Sequence, residues 1–294
     1  MPDPADWPEL VPQPGSLTWA RAGDARLLLA AGYALLLQVS HPVVGAGVSE
    51  HSQFQRDPYG RLLRTLDYSY TMVYGGPQAA GEMGRRIRAM HGRIHGTLPD
   101  GRRYHALEPG AYAWVHATLA EAIVRAHATF GRPLAREQRE QFWREWRALG
   151  RLLGIGEDDL PSSWERFEAY FEQMVDEHLE HTQAATEVLA ALARPAPPAA
   201  AALLRGLWSL GRLPVSHLLC LVTVGLLPAQ LRARLAVAWS PGSERELRAT
   251  AATLRAMTPF MPPLLANVGP RYLSMRAQAI TGAAAPASSA GRGA

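Results

Sequence analysis

The sequence contains a single cysteine, Cys220, and no lysine. One cysteine excludes an internal disulfide and any thiolate-based metal cluster, and it fits a reducing compartment. With lysine absent, all 30 Lys-or-Arg positions are arginine, which together with the many alanines points to a GC-rich coding bias. The arginines are scattered among Asp and Glu and form no basic run, so the formal net charge of +4 does not describe a nucleic-acid surface. Runs of alternating β-branched residues are absent, which removes a sheet-based architecture. No Gly-x-Gly-x-x-Gly, phosphate loop or Gly-x-Ser-x-Gly elbow occurs, so nucleotide-dependent and hydrolytic chemistries lose support.

Targeting and membrane signals are also scarce. Met1 to Pro14 is acidic and proline-rich, without the basic start and apolar centre of a signal peptide, and the expectation is a cytoplasmic protein. Leu27 to Leu37 is too short to span a bilayer. Leu213 to Leu231 approaches the roughly 20 residues a span needs. It carries Ser216, His217 and Gln230, with prolines at 214 and 228. A buried core helix accounts for it better, with peripheral membrane contact left open.

What is present is a chain of 294 residues, 48% hydrophobic, enough for one large core. The expected fold is all-α: one helical domain over 20–276, an N-terminal extension over 1–19 and a disordered Ala/Gly/Ser-rich tail over 277–294. Arg26 to Val39 predicts an apolar helix stopping before His41-Pro42. Pro42 to Ser52, rich in Gly and Val, predicts a loop. Asp57-Pro58 signals a helix start, the helix ending at Gly75-Gly76. Pro77 to Leu98 predicts another helix, and Glu108-Pro109 opens one through Trp114 to Phe130. A helix from Leu134 to Glu137 onward places Phe142, Trp146, Leu149 and Leu153 on one face. Ser162-x-x-Glu165 fits a capping box before Trp164, Phe167 and Phe171.

Histidine 91 is the first candidate for chemistry. Met83, Ile87, Met90 and Ile94 form an apolar stripe at helical spacing, and His91 lies beside it, facing inward or into a pocket. An inward imidazole suits a metal or a haem iron. Spacing alone favours the alternative, a core histidine bonded to a backbone carbonyl. Arg88, His91 and His95 would share one ridge, and His91 with His95 forms an H-x-x-x-H pair. That pair lacks the adjacent glutamate of a zinc protease, and further ligands such as His116 or His51 are guesses. In the helix after Asp57, Arg61, Arg64, Thr65 and Tyr68 stand at i, i+3, i+4 and i+7, opposite Leu62, Leu63 and Leu66. This is either a solvated face or the lining of a pocket for an anion, a carboxylate or bound oxygen. The run Asp176 to His181 lacks the Glu-x-x-His spacing of a di-iron bundle and fits a solvated face.

Several segments taken together resemble the MpaB oxygenase family, to which the rubber oxygenases belong. They are His41-Pro42 with its Gly-Val run, Glu50-His51-Ser52-x-Phe54, Asp57-Pro58-x-Gly60-Arg61-Leu62-x-Arg64-Thr65, Arg88-x-x-His91 and Trp114-Val115-His116-Ala117-Thr118-Leu119. The likeness covers roughly residues 20 to 275 and is densest over 41–119. It implies an all-helical fold holding haem b, with His91 as the proximal iron ligand and Arg88 in the same segment as a cofactor contact. It implies a distal Arg-x-x-Lys-Thr segment matching Arg61, Arg64 and Thr65. Arg64 departs from that pattern: a deprotonated lysine can coordinate iron, whereas arginine stays protonated and offers no lone pair. The implied activity is a haem-dependent oxygenase taking dioxygen and a small apolar organic substrate. The alternatives are a haem sensor or carrier without turnover, and a non-haem metal protein using His91 and His95. Polyisoprene itself is a doubtful substrate for a chain without an export signal.

Overall fold

The computed structural model describes residues 1–52, 58–197 and 205–283. In chain order the helices are α1 (Trp7–Leu10), α2 (Leu17–Arg21), α3 (Ala31–Val39), α4 (Pro42–His51), α5 (Pro58–Tyr74) and α6 (Gly76–His91). A hairpin follows, β1 (His95–Thr97) paired antiparallel with β2 (Arg103–His105). Then come α7 (Pro109–Phe130), α8 (Arg136–Leu152), α9 (Trp164–Gln173), α10 (Gln183–Ala193), α11 (Arg205–Leu226), α12 (Ala229–Arg234), α13 (Pro241–Ala256), α14 (Pro263–Ala266) and α15 (Gly269–Ala283). The fold is all-α apart from that hairpin.

Helix α7 is the axis of the core. Alanines at 113, 117, 120 and 126 let neighbouring helices approach, while Trp114 and Phe130 are fully buried. It packs against α3, the 3-10 turn Ala25–Ala30, α8 and α13. The apolar face of α8 buries Phe142, Trp143, Trp146 and Leu152; Trp143 packs on Trp164 and Phe167 of α9, and Trp146 stacks on His116 of α7. Each such side chain contributes about 1.5–3 kcal/mol relative to its exposed state.

Several boundaries differ from the sequence expectation. The 42–52 stretch is a helix, not a loop: Pro42 occupies its first turn, and Gly45 sits where a Cβ would strike the Val39 carbonyl and the Thr182 side chain. Its glycine serves close packing rather than a turn. The N-terminal cap of α9 is Ser163, whose Oγ accepts from the Arg166 amide, and Ser162 instead accepts from the Arg166 guanidinium. The 213–231 stretch is core only from Leu221 onward, and Leu213 is 68% exposed. The N-terminal stretch contributes Trp7, Leu10 and Val11 to the core. At the other end α15 continues past Arg276 to Ala283, and 284–294, with Asp57 and Phe54, lie outside the described residues. The run 174–178 forms a π-helix with Asp176, Glu177 and His178 exposed. Among the described residues, no single helix is long and apolar enough to cross a membrane.

Three glycines set the position of α6. Gly76 opens it with φ of 77°, a left-handed conformation that allows α6 to follow α5 after Gly75 alone. Gly84 lies so close to the Leu152 carbonyl of α8 that a Cβ would collide with backbone, and one on Gly81 would strike the Trp7 ring.

Candidate active site

Helix α6 ends on His91, with Gly92 as its cap. The His91 Nδ1 lies 2.8 Å from the Ile87 carbonyl oxygen one turn back. That oxygen only accepts, so Nδ1 carries the proton and Nε2 holds the lone pair. Burial pushes the imidazole's pKa below its ordinary value, keeping it neutral at pH 7, and the carbonyl bond opposes this in part. The ring meets Tyr112 of α7 edge-on, with centroids 5.4 Å apart. Burial lifts the Tyr112 phenol to about 12, against the lowering effect of the Arg88 charge. Arg88 itself donates to the Gly154 carbonyl at 3.4 Å. Tyr112 escaped the sequence reading. Its only signal was its place one turn into the helix that Pro109 opens.

Histidine 95 is not on the helix with His91. The helix stops, and His95 opens β1, stacked against His105 across the hairpin with centroids 6.4 Å apart. The expected Arg88-His91-His95 ridge is therefore broken at Gly92. Among the described residues no group of three or more His, Cys, Asp or Glu is arranged to hold a metal ion. His116 is a core residue: its Nε2 donates to the Trp146 carbonyl at 2.8 Å, and the Trp146 indole donates back to the His116 carbonyl at 3.0 Å. The His51 Nε2 donates to the His95 carbonyl at 3.2 Å.

The arginine segment opens α5. Arg61 is half-buried and donates from Nη1 to Ser52 Oγ at 2.7 Å. Burial, then the neighbouring Arg64 charge, lowers its pKa, yet guanidinium stays protonated at any physiological pH. Arg64 and Thr65 are exposed, and the Thr65 hydroxyl donates to the Arg61 carbonyl at 3.0 Å. Leu62 and Leu63, on the opposite side of the helix, are exposed as well. This turn of α5 thus offers apolar surface and two cations together, a combination suited to a flat apolar molecule with anionic edges. Arg61 and His91 are brought to one end of the molecule. Ser52 closes α4, the adjacent His51 reaches the His95 carbonyl, and Ile94 meets Gly47 of α4. A surface groove of about 630 Å³ beside the hairpin is lined by His95, Arg103, Tyr104, His105, Leu107 and Glu108, and none of the candidate residues except His95 faces it.

An all-helical protein with a neutral, inward histidine at the end of one helix and paired arginines at the start of another is the class these features define. The family model described as ER-bound oxygenase mpaB/B'/Rubber oxygenase, catalytic domain, matches residues 19–256, and the chain belongs to that family. It is therefore an enzyme of oxygenase type. No curated protein and no solved structure matches the chain. The donor chemistry at His91 fits an axial haem ligand, since a neutral imidazole with Nδ1–H bonded to a carbonyl presents Nε2 to a metal.

Proposed function

We propose that the protein is a haem b-dependent oxygenase that acts with dioxygen on a small apolar organic substrate. The observation that carries this is the His91 geometry: its Nδ1 proton is committed to Ile87, leaving a single basic nitrogen in a partly buried ring. Haem, when bound, supplies an iron that binds and activates dioxygen.

The residues of the chain divide the remaining work. His91 Nε2 would hold the iron, and the Ile87 carbonyl fixes the ring's tautomer and orientation. Arg88, which donates to the Gly154 carbonyl, and Arg61, which donates to Ser52 Oγ, are the cations whose guanidinium groups would suit haem propionates. Arg64 stays protonated and offers no lone pair, so it would not itself ligate an iron. As an exposed guanidinium beside Arg61 it would be placed to donate hydrogen bonds to an anionic group. The Thr65 hydroxyl, donating backward to the helix, presents its oxygen as an acceptor. The exposed Leu62 and Leu63 provide the apolar contact such a substrate needs.

The test is optical. Purified protein should show a Soret band, and His91→Ala should lose the axial-nitrogen signature and most of the haem. Full haem content with an unchanged axial-ligand spectrum in His91→Ala would refute the assignment. Oxygen consumption with candidate alkenes then distinguishes turnover from gas binding alone.

A further inference from the structure

We propose that the segment between α13 and α15 is a docking surface for an anionic lipid membrane. Met257 is 58% exposed and Phe260 83% exposed, and Leu264 and Leu265 follow them into solvent. Four large apolar side chains within nine residues form a patch, not the scattered apolar exposure of an ordinary surface. The patch is held rigidly. Pro259, Pro262 and Pro263 restrict its backbone, and Arg26 donates to Thr258 Oγ1 at 2.7 Å and to the Phe130 carbonyl at 3.1 Å. That bond pins it to the Ala25–Ala30 turn, which presents Leu28, itself exposed. Ordering entropy is thus lost on folding and not again on docking.

Charge selects the partner. The mixing of acids and bases along the chain stops at Glu246. Beyond it the sequence holds no Asp or Glu, while arginines stand at 248, 255, 271, 276 and 292. Arg248 is paired with Glu244, and Arg276 with Asp67. Arg255 and Arg271, which bracket the patch, are exposed and have no carboxylate within ion-pair distance among the described residues. Among the described residues Arg255 donates to the neutral Thr129 carbonyl, at 2.9 Å. Arg132, on the loop after Phe130, adds a third exposed cation. Apolar side chains rimmed by unneutralised arginines match acyl chains beneath anionic headgroups. A second copy of the chain fits less well, because a two-fold contact would set these arginines against one another.

The experiment is sedimentation of the full chain with vesicles of phosphatidylcholine, alone or with added phosphatidylglycerol. The protein should partition onto the anionic vesicles, less onto the neutral ones, and less as salt rises. Phe260→Ser with Leu264→Ser should lower partitioning about tenfold or more, since both side chains bury apolar area only in the lipid. Arg255→Gln with Arg271→Gln should remove the preference for anionic vesicles. Both pairs replace exposed side chains, and unchanged far-UV circular dichroism checks their folding. Three results would overturn the proposal: no partitioning of the unaltered protein, equal partitioning of the serine variant, or a dimer in solution that those serines dissolve.

Discussion

At the residue scale the decisive contrast is between His91 and His116. Both are inward histidines, and both bond a backbone carbonyl. His116 spends Nε2 on that bond and stacks on Trp146 with ring centroids 5.1 Å apart. His91 spends Nδ1, bonding within its own helix, and so keeps the nitrogen at the ring's far end. Sequence spacing placed Ile87 four residues before His91 but did not say which ring nitrogen meets the carbonyl. Arg64 offers the sharper test. Arg64→Lys restores a side chain whose amine, once deprotonated, coordinates iron. In the proposed haem-bound protein the expected outcome is a spectral shift towards two nitrogen ligands, growing with pH as the amine loses its proton. A spectrum identical to that of the unaltered protein at every pH would remove Arg64 from the iron's neighbourhood.

At the scale of elements, proline and glycine punctuation was legible wherever it acted locally. Pro109 opens α7 and the Gly75-Gly76 pair divides α5 from α6. The same residues misled where their role was tertiary. The glycines of α4 are there because Val39 and Thr182 press on Gly45, and no local rule reveals that. The hairpin escaped because each strand is three residues long, below the length at which alternation shows. Its omission carried His95 onto a helix it does not occupy. The cap of α9 was off by one, and this has a measurable consequence. Ser163→Ala should cost about 1 kcal/mol, since it removes the acceptor for a first-turn amide. Ser162→Ala, which loses only an exposed contact to Arg166, should lie within about 0.5 kcal/mol of the unaltered protein. Urea unfolding of the two variants measures the difference.

For the whole molecule, the fold class was legible because helical apolar periodicity persists across nearly the whole chain. The assembly of the candidate site was not, because Arg61 reaches Ser52 and His91 meets Tyr112 through tertiary contacts that no local pattern reveals. The same packing predicts how the protein responds to acid. Burial holds His41 and His116 at about 4. In the unfolded chain both take up a proton near pH 6.5. Below that pH the unfolded state binds more protons, so stability that is complete above about pH 6.5 drains away as pH falls towards 4. His116, fully enclosed, accounts for a loss on the order of 3 kcal/mol across that window. Unfolding midpoints at about pH 7 and about pH 5 should therefore differ, and His116→Gln should flatten the difference. Equal midpoints in the unaltered protein would mean these rings are not enclosed as described.

Gly84 and His91 stand on the same side of α6, two turns apart. With Gly84 resting on the Leu152 carbonyl, that contact sets the direction of the helix, and the last stretch of α6 is a lever about 10 Å long. A tilt of about 6° at that fulcrum carries the imidazole through about 1 Å. A displacement of that size is enough to cost a catalytic group about a hundredfold in rate. The absence of one methyl group at Gly84 is thus a calibration of where the histidine points, made far from the ring itself.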